Sequence, residues 1–397
     1  MALLMRILTR YVVFDLLKVF LLILTGLTLM IFIGLVGKEA VDKGLGLGPL
    51  LRMTPYLLPQ AMQFAVPGTM LLATTYVYGR LSSYNEIVAI KALGISPMVL
   101  IWPTLVLATL VSFAGVYINN LAVSWGARGV QRVFLESLED VVYGRLQMQR
   151  TYNSGNHSII VRGVDGRKLI QPTLVIESSG NRPATTVRAK EAELWSDYKE
   201  GKIHVRFHDY EVTGPLTLTD PGTFEQTLSL DELTGISART RSPSNYALGE
   251  IRAATNEQLE RIDQVREGMT AYASFAILTG NFDALREAAW QPHERELGAA
   301  QERLQRLHTE PWRRWANGFS CLCFVLVGAP MAIRLKHAEF LAIFFVCFLP
   351  ILIVYYPMLA VSVDQAKDGA LPPPAVWLGN VVLALWGVWL LRRVIRY

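Results

Sequence analysis

Long uncharged runs alternate with charged segments along this 397-residue chain, and the uncharged runs fall into two groups of three. A membrane-spanning helix needs about 20 predominantly apolar residues to cross a hydrocarbon core of about 30 Å. The runs that meet this requirement are 19–36, 53–79, 92–127, 315–333, 340–363 and 369–391. The pattern predicts an α-helical polytopic membrane protein with six transmembrane helices in a 3+3 arrangement. No small-x-small cleavage site follows the first run, so we expect an uncleaved first span rather than a signal peptide.

The middle of the chain changes from an alternating to a helical period. Residues 202–208 alternate strictly, with Ile203, Val205 and Phe207 on one face. Other short β-rich runs are separated by Gly- and Pro-containing turns, which is typical of an antiparallel sandwich or jelly roll. From about residue 248, apolar residues recur every three or four positions and predict two amphipathic helices. The predicted domains are 1–127 for the first three spans, 128–247 for a β-jelly-roll domain, 248–311 for an extra helical segment and 312–397 for the last three spans.

Composition and charge favour a membrane protein over a soluble one. Charged residues make up 18% of the chain, below the roughly 25% of soluble domains. Residues 128–310 hold 22 Lys/Arg and 26 Asp/Glu, whereas the rest of the chain holds 16 and 7. The basic excess therefore lies beside the apolar runs, which fits membrane orientation rather than nucleic-acid binding. With cytoplasmic termini the inner face carries ten Lys/Arg and the outer face six, so we expect the β domain outside.

The loop between the second and third runs predicts a short helix near residues 83–94. Ile87, Ile90 and Leu93 share one helical face. Glu86 lies in the first turn, where the helix dipole favours a carboxylate, and Gly94 is placed to end the helix. A short helix with one acid and an apolar stripe suits docking into a groove of another protein. An interfacial helix lying on lipid headgroups is the alternative for this spacing.

This segment resembles the coupling-helix signature of the LptF/LptG family of lipopolysaccharide export permeases, in which Glu and hydrophobic positions lead to Ala-x-Gly-hydrophobic-Ser. Two more segments resemble the same family. They are Arg313-Arg314-Trp315-Ala316 with 326–334, and the C-terminal stretch with 371–373, Trp377, Asn380 and 390–393. Together the three segments cover both membrane halves. The helical stretch 248–311 departs from the pattern because it is longer than the family usually shows, which leaves the domain edges open.

The resemblance implies two three-helix halves and an inserted periplasmic β-jelly-roll domain, in the bacterial inner membrane. It implies four partners: a paralogous permease subunit in a heterodimer, a cytoplasmic ABC ATPase (LptB-like), a periplasmic bridge protein (LptC/LptA-like) and lipopolysaccharide. On this basis Glu86 would contact the ATPase. Lys38 and Lys43, with Arg52 as a weaker addition, would lie against lipid A phosphates. Ordinary headgroup anchoring is the alternative for these three basic residues.

The chain lacks the residues of several other functional classes. It has no Gly-x-x-x-x-Gly-Lys-Ser/Thr motif, so we expect it to bind no cofactor and ATP to be hydrolysed by a partner. The uncharged runs carry no ionisable Asp, Glu, Lys, Arg or His of the kind that ion-coupled transporters use. Ser320 lacks the second glycine of a nucleophile elbow, and His204 and His208 have no further ligands at metal-site spacing. We therefore expect neither a catalytic set nor a metal site.

Two hypotheses from different classes remain. The first is a permease subunit that extracts lipopolysaccharide, with Ile203, Val205 and Phe207 as the lipid-path strand. The second is a non-transporting membrane scaffold or sensor whose periplasmic β domain binds an envelope ligand. Only the first predicts ATP-dependent lipid adducts on that apolar strand face.

Overall fold

The structure is a computed structural model that describes most of the chain. The described residues are 2–43, 47–154, 157–176, 185–197, 202–213, 218–229, 242–335 and 339–396. The side chains of Lys43 and Ile203 lie outside this description. Two compact units are present. The first contains Met1–Phe32, Leu58–Ser124 and Pro243–Tyr397, and the second contains Ile33–Leu57 and Trp125–Ser242.

The described part of the chain contains eleven α-helices. They are α1 (Ala2–Lys43), α2 (Leu47–Ser83), α3 (Glu86–Ala92), α4 (Met98–Leu121), α5 (Arg128–Glu136), α6 (Leu138–Gln149), α7 (Leu248–Leu278), α8 (Glu287–Arg334), α9 (Phe340–Pro350), α10 (Tyr356–Lys367) and α11 (Leu378–Arg396). A π-helical turn at Ala122–Ala127 follows α4, and another at Ile351–Tyr355 joins α9 to α10.

Five helical stretches of the described residues are long and apolar enough to cross a membrane. They are Arg6–Val41, Met98–Phe134, Trp290–Arg334, Phe340–Lys367 and Pro373–Arg396. The sixth predicted span lies in α2, which is 37 residues long. This helix is less apolar because it carries Thr, Gln and Tyr among its aliphatic residues. Thr74 and Thr75 are fully buried and donate to the carbonyls of Met70 and Leu71. The chain is thus a polytopic membrane protein, and the count of six spans stays a prediction.

Helix α8 is the central helix of the first unit and packs against both α4 and α11. Its small residues permit close approach. A Cβ atom on Gly318 would lie 2.3 Å from Val116 Cγ2, and one on Gly387 of α11 would lie 2.8 Å from the Leu326 backbone. All three cysteines, Cys321, Cys323 and Cys347, are buried in this apolar core.

The predicted amphipathic helices are present as α7 and the first part of α8. Gln258 Nε2 donates to the carbonyl of Ala300 at 2.9 Å, and Arg261 pairs with Glu296 at 3.2 Å. Helix α8 continues without a break through residue 311 into the fourth uncharged run. The proposed domain edge at 311 therefore falls inside one continuous helix, and the domain boundaries stay predictions.

The second unit contains one antiparallel sheet in the described residues. Its strands are β1 (Thr151–Ser154), β2 (His157–Ile160), β3 (Gly163–Asp165), β4 (Lys168–Ile170), β5 (Thr173–Ile176), β6 (Thr185–Asp197), β7 (Lys202–Thr213) and β8 (Leu218–Ser229). The long strand β6 pairs with β5 and β4 along one edge and with β7 along the other, and β8 follows β7. The sheet curls into a half-barrel. The β domain is present, but the two packed sheets of a jelly roll stay a prediction.

Candidate functional site

Helix α3 is a short, separately bounded element between α2 and α4. Asn85 before it has φ 58° and Gly94 after it has φ 74°, both in the left-handed region. The amide of Gly94 donates to the Lys91 carbonyl at 2.9 Å, and that of Ile95 donates to Ile90 at 3.2 Å, which closes the C-terminal end. Glycine adopts this conformation without a steric penalty. The structure therefore places Glu86 in the first turn and Gly94 directly after the helix end, as the sequence predicts.

The apolar stripe predicted on α3 is divided between two environments. Ile87 and Ile90 are 4% and 8% exposed and pack into the core that also contains α2, α8 and α11 side chains. Leu93 is 68% exposed, as are large parts of Tyr84 and Val88. Ile87 and Ile90 thus anchor the helix to its own chain, and a partner can reach a different set of side chains. We call the accessible set Tyr84, Glu86, Val88 and Leu93 the α3 surface.

Two hydrogen bonds tie the α3 region to the ends of the longer helices. Lys91 Nζ donates to the carbonyl of Val394 on α11 at 3.1 Å. Ser82 Oγ, at the end of α2, donates to the carbonyl of Ile333 on α8 at 2.8 Å. The first bond fastens α3 directly to the end of α11. The second joins the end of α2, just before α3, to the end of α8.

The candidate lipid-phosphate residues lie in the parts of α1 and α2 that belong to the second unit. Lys38 on α1 and Arg52 on α2 are both exposed. The backbone of Lys43 belongs to the last turn of α1. No contact between Lys38 and Arg52 is present among the described atoms, and the side chain of Lys43 lies outside them. The role of the three residues in phosphate binding stays a prediction.

The strand face predicted as a lipid path is buried in the core of the β domain. Val205 and Phe207 are each 1% exposed and lie in one apolar cluster with Val142 and Leu146 of α6. Tyr143 of α6 holds this helix in place. Its hydroxyl accepts from the Leu194 amide at 2.9 Å and donates to the Arg167 carbonyl at 2.5 Å. The alternation predicted for residues 202–208 is present at the described positions, and Val205 and Phe207 are buried in a core that also contains side chains of α6.

The polar side of β7 carries a paired histidine. His204 Nδ1 lies 3.0 Å from Glu225 Oε1, and its ring stacks on Trp195 with centroids 5.3 Å apart. Arg206 lies over the same indole at 4.7 Å. His204 therefore has defined neighbours on the polar side of the strand. No group of three His, Cys, Asp or Glu residues that could hold a metal is present among the described residues.

A buried charge cluster connects two segments of the chain. One segment lies just before α7, and the other lies in α8 just before the fourth uncharged run. The side chains of Glu310 and Arg314 are 1% and 0% exposed, with Glu310 Oε2 lying 3.6 Å from Arg314 Nε. Arg314 Nη2 donates to the carbonyls of Ser244 and Tyr246 at 3.1 and 2.7 Å, and Ser244 Oγ donates to Glu310 Oε1 at 2.9 Å. The cluster fastens residues 244–246 to α8.

Comparison with protein families decides what kind of protein this is. The family model described as lipopolysaccharide export system permease LptF/LptG matches residues 10–393. The chain belongs to the LptF/LptG family. The LptF/LptG match spans the membrane helices on both sides of the sheet as well as the sheet itself. A search of curated proteins found no match.

The three LptF/LptG signature segments all lie in the first unit, and the structure joins two of them. Asn380 is 2% exposed, and its Nδ2 donates to the carbonyl of Ala316 at 2.8 Å. This bond connects the C-terminal signature on α11 to the signature that begins at Arg313 on α8. LptF/LptG proteins are permease components rather than enzymes. Sequence reasoning found both segments but had no signal for their contact, because they are 64 residues apart.

Proposed function

We propose that this chain is a permease subunit of an ABC-type lipopolysaccharide export complex. In this proposal it pairs with a paralogous permease subunit, and a separate cytoplasmic ABC ATPase supplies the energy. The complex extracts lipopolysaccharide from the inner membrane and passes it to a periplasmic bridge protein. Both termini face the cytoplasm, and the β domain faces the periplasm. Membership of the LptF/LptG family supports this role.

The observation that carries the proposal is the way α3 is attached. A helix that transmits force from an ATPase needs one face available to the partner and another fixed to the transporter. Ile87, Ile90 and Lys91 fix α3 to α2, α8 and α11, whereas Val88 and Leu93 remain exposed. A displacement of α3 would therefore move the central helix α8 as well.

Co-purification of the ATPase tests this proposal. Glu86→Lys and Leu93→Asp change the α3 surface without touching the buried anchors, so we expect either variant to insert normally and to lose the ATPase. Glu339→Lys is the matched control, because Glu339 is an exposed acid at the start of α9. Retention of the ATPase by both α3 variants would remove α3 from the mechanism.

One observation favours the alternative, a scaffold or sensor with a ligand-binding β domain. Val205 and Phe207 are buried in the core of the β domain, so these two side chains do not line an open apolar trough. Photocrosslinking residues at positions 203, 205 and 207 distinguish the two functions. The exporter proposal expects lipopolysaccharide adducts that require ATP and the ATPase. Adducts with another ligand that are independent of ATP would favour the sensor.

A further inference from the structure

A cavity of about 600 Å³ lies beside α3, between the ends of α2, α8 and α11. Three basic side chains, Lys91, Arg334 and Arg393, line it together with uncharged residues that include Ser82, Ile87 and Ile333. The cations come from three different helices. No acidic side chain is among the described residues that line the cavity.

Each cation is positioned without being neutralised by a carboxylate. Lys91 is partly buried and donates to a backbone carbonyl of α11. The Arg393 guanidinium lies 4.2 Å from the centre of the Trp389 ring, one helical turn away. Arg334 is exposed in the last turn of α8. None of the three has an ion-pair partner in the described part of the chain. The C-terminal end of each helix carries a partial negative charge of about half a unit, which favours these cations. Such partial charges do not balance three full positive charges.

The ordinary bias of basic residues towards the cytoplasmic side does not explain this convergence. Arg392 and Arg396 lie on the same helix end as Arg393 and are also exposed, yet neither lines the cavity. Three cations that share one cavity repel one another unless an anion lies between them.

We propose that this cavity binds the phosphate of an anionic phospholipid headgroup, such as phosphatidylglycerol or cardiolipin. Phosphate supplies the acceptor oxygens that Lys and Arg prefer. The aliphatic part of the lining, from Ile87, Val88 and Ile333, suits the glycerol and first methylenes of a lipid better than a free ion. The cavity lies where membrane-spanning helices end, which is the level of the headgroups. Assignment to the inner leaflet rests on the orientation in the proposed function. A lipid bound there would stabilise the position of α3 relative to α8 and α11.

Native mass spectrometry of the full chain in detergent tests this site, with phosphatidylglycerol and phosphatidylethanolamine as the two lipid probes. We expect the wild type to prefer phosphatidylglycerol. A basic residue near a membrane surface contributes about a five-fold change in binding of an anionic lipid, so Arg334→Gln with Arg393→Gln should reduce the preference about twenty-fold. Arg392→Gln with Arg396→Gln is the matched control and should leave it unchanged. Lys91→Arg should retain the preference, whereas Lys91→Gln should lower it.

The other outcomes are equally distinct. Unchanged phosphatidylglycerol preference in the Arg334/Arg393 double variant overturns the proposal. Binding of inorganic phosphate without any preference for phosphatidylglycerol overturns it in favour of a free anion site. If the Arg334/Arg393 double variant loses the ATPase but keeps its lipid preference, the proposal is overturned in favour of an acidic protein partner at this cavity. Glu86→Lys should leave the lipid preference intact, so failure of the α3 docking proposal can be told apart from failure of this one.

Discussion

At the scale of single residues, Glu310 and Arg314 form a pair of charged side chains that are both fully buried. Two charges removed from water are stable together only when their hydrogen-bonding groups are largely satisfied. Glu310 accepts from Ser244 and Arg313, and Arg314 donates to two backbone carbonyls. Arg314 Nη1 still has no partner among the described atoms. The sequence marked Arg313 and Arg314 as a signature but could not show which of the two is buried, because adjacent helical residues point in different directions.

We predict that Glu310→Met destabilises the first unit by about 3–5 kcal/mol, because the buried Arg314 then keeps no carboxylate partner among the described residues. Arg314→Met should cost less, because Glu310 keeps its ion pair with Arg313. The double variant Glu310→Met/Arg314→Met should lose less stability than the two single variants Glu310→Met and Arg314→Met lose in total. Thermal unfolding in detergent measures all of them. Strictly additive losses would show that the two side chains do not act as a pair.

A second residue-scale prediction compares two glycines of the same helix. Gly318→Ala would place a Cβ 2.3 Å from Val116 Cγ2 and 2.9 Å from the Ser112 carbonyl oxygen, so α4 and α8 would have to separate. We expect a loss of about 1–3 kcal/mol. Gly298→Ala, exposed and with no atom within 4 Å, should instead stabilise by about 0.5–1 kcal/mol because alanine favours the helix. Melting temperatures should move in opposite directions, and a shared direction would contradict the packing argument.

At the scale of elements, the start and end of α3 could be predicted, because they depend on local backbone rules at Glu86 and Gly94. The assignment of its faces could not. Helical periodicity shows that Ile87 and Ile90 share a side, but it does not show whether that side meets the same chain or a partner. The same holds for β7. Its period of two placed Val205 and Phe207 on one face. It could not show that this face is buried, because the core around it includes α6, which lies more than 50 residues earlier in the chain.

The attachment of α6 to the sheet gives an element-scale prediction. Tyr143→Phe removes the hydroxyl that accepts from the buried Leu194 amide, and an unsatisfied buried donor costs about 1–3 kcal/mol. We expect faster hydrogen exchange at β6 and in α6 of the full-length protein. Tyr210→Phe is the control, because Tyr210 is also buried in this core but its hydroxyl makes no hydrogen bond among the described residues. Equal effects of the two variants would mean that the hydroxyl of Tyr143 does not hold α6.

At the scale of the whole molecule, the length of the uncharged runs predicted the five helical stretches that are long and apolar enough to cross a membrane. It did not settle whether α2 crosses as well. Run length counts charges, whereas crossing depends on the transfer energy of every side chain. Helix α2 contains buried threonines whose hydroxyls donate to carbonyls within the helix, and hydropathy counts these residues as polar. A helix surrounded by other helices can carry such residues. Its place in the membrane therefore depends on packing that no window along the sequence measures.

The orientation of the chain gives the last prediction, and the cysteines make it measurable. Cys321, Cys323 and Cys347 are 0%, 6% and 0% exposed, so a membrane-impermeant maleimide should leave the folded wild type unlabelled. A single cysteine introduced at the exposed Thr223 of β8 should then react in intact spheroplasts, because the proposed orientation places the β domain outside. One introduced at Ile395 of α11, which is 41% exposed, should react only after the membrane is opened, because the proposed orientation places the end of α11 in the cytoplasm. Labelling in the reverse order would place α3 and the cavity beside it on the outer side, where no ATPase could reach them.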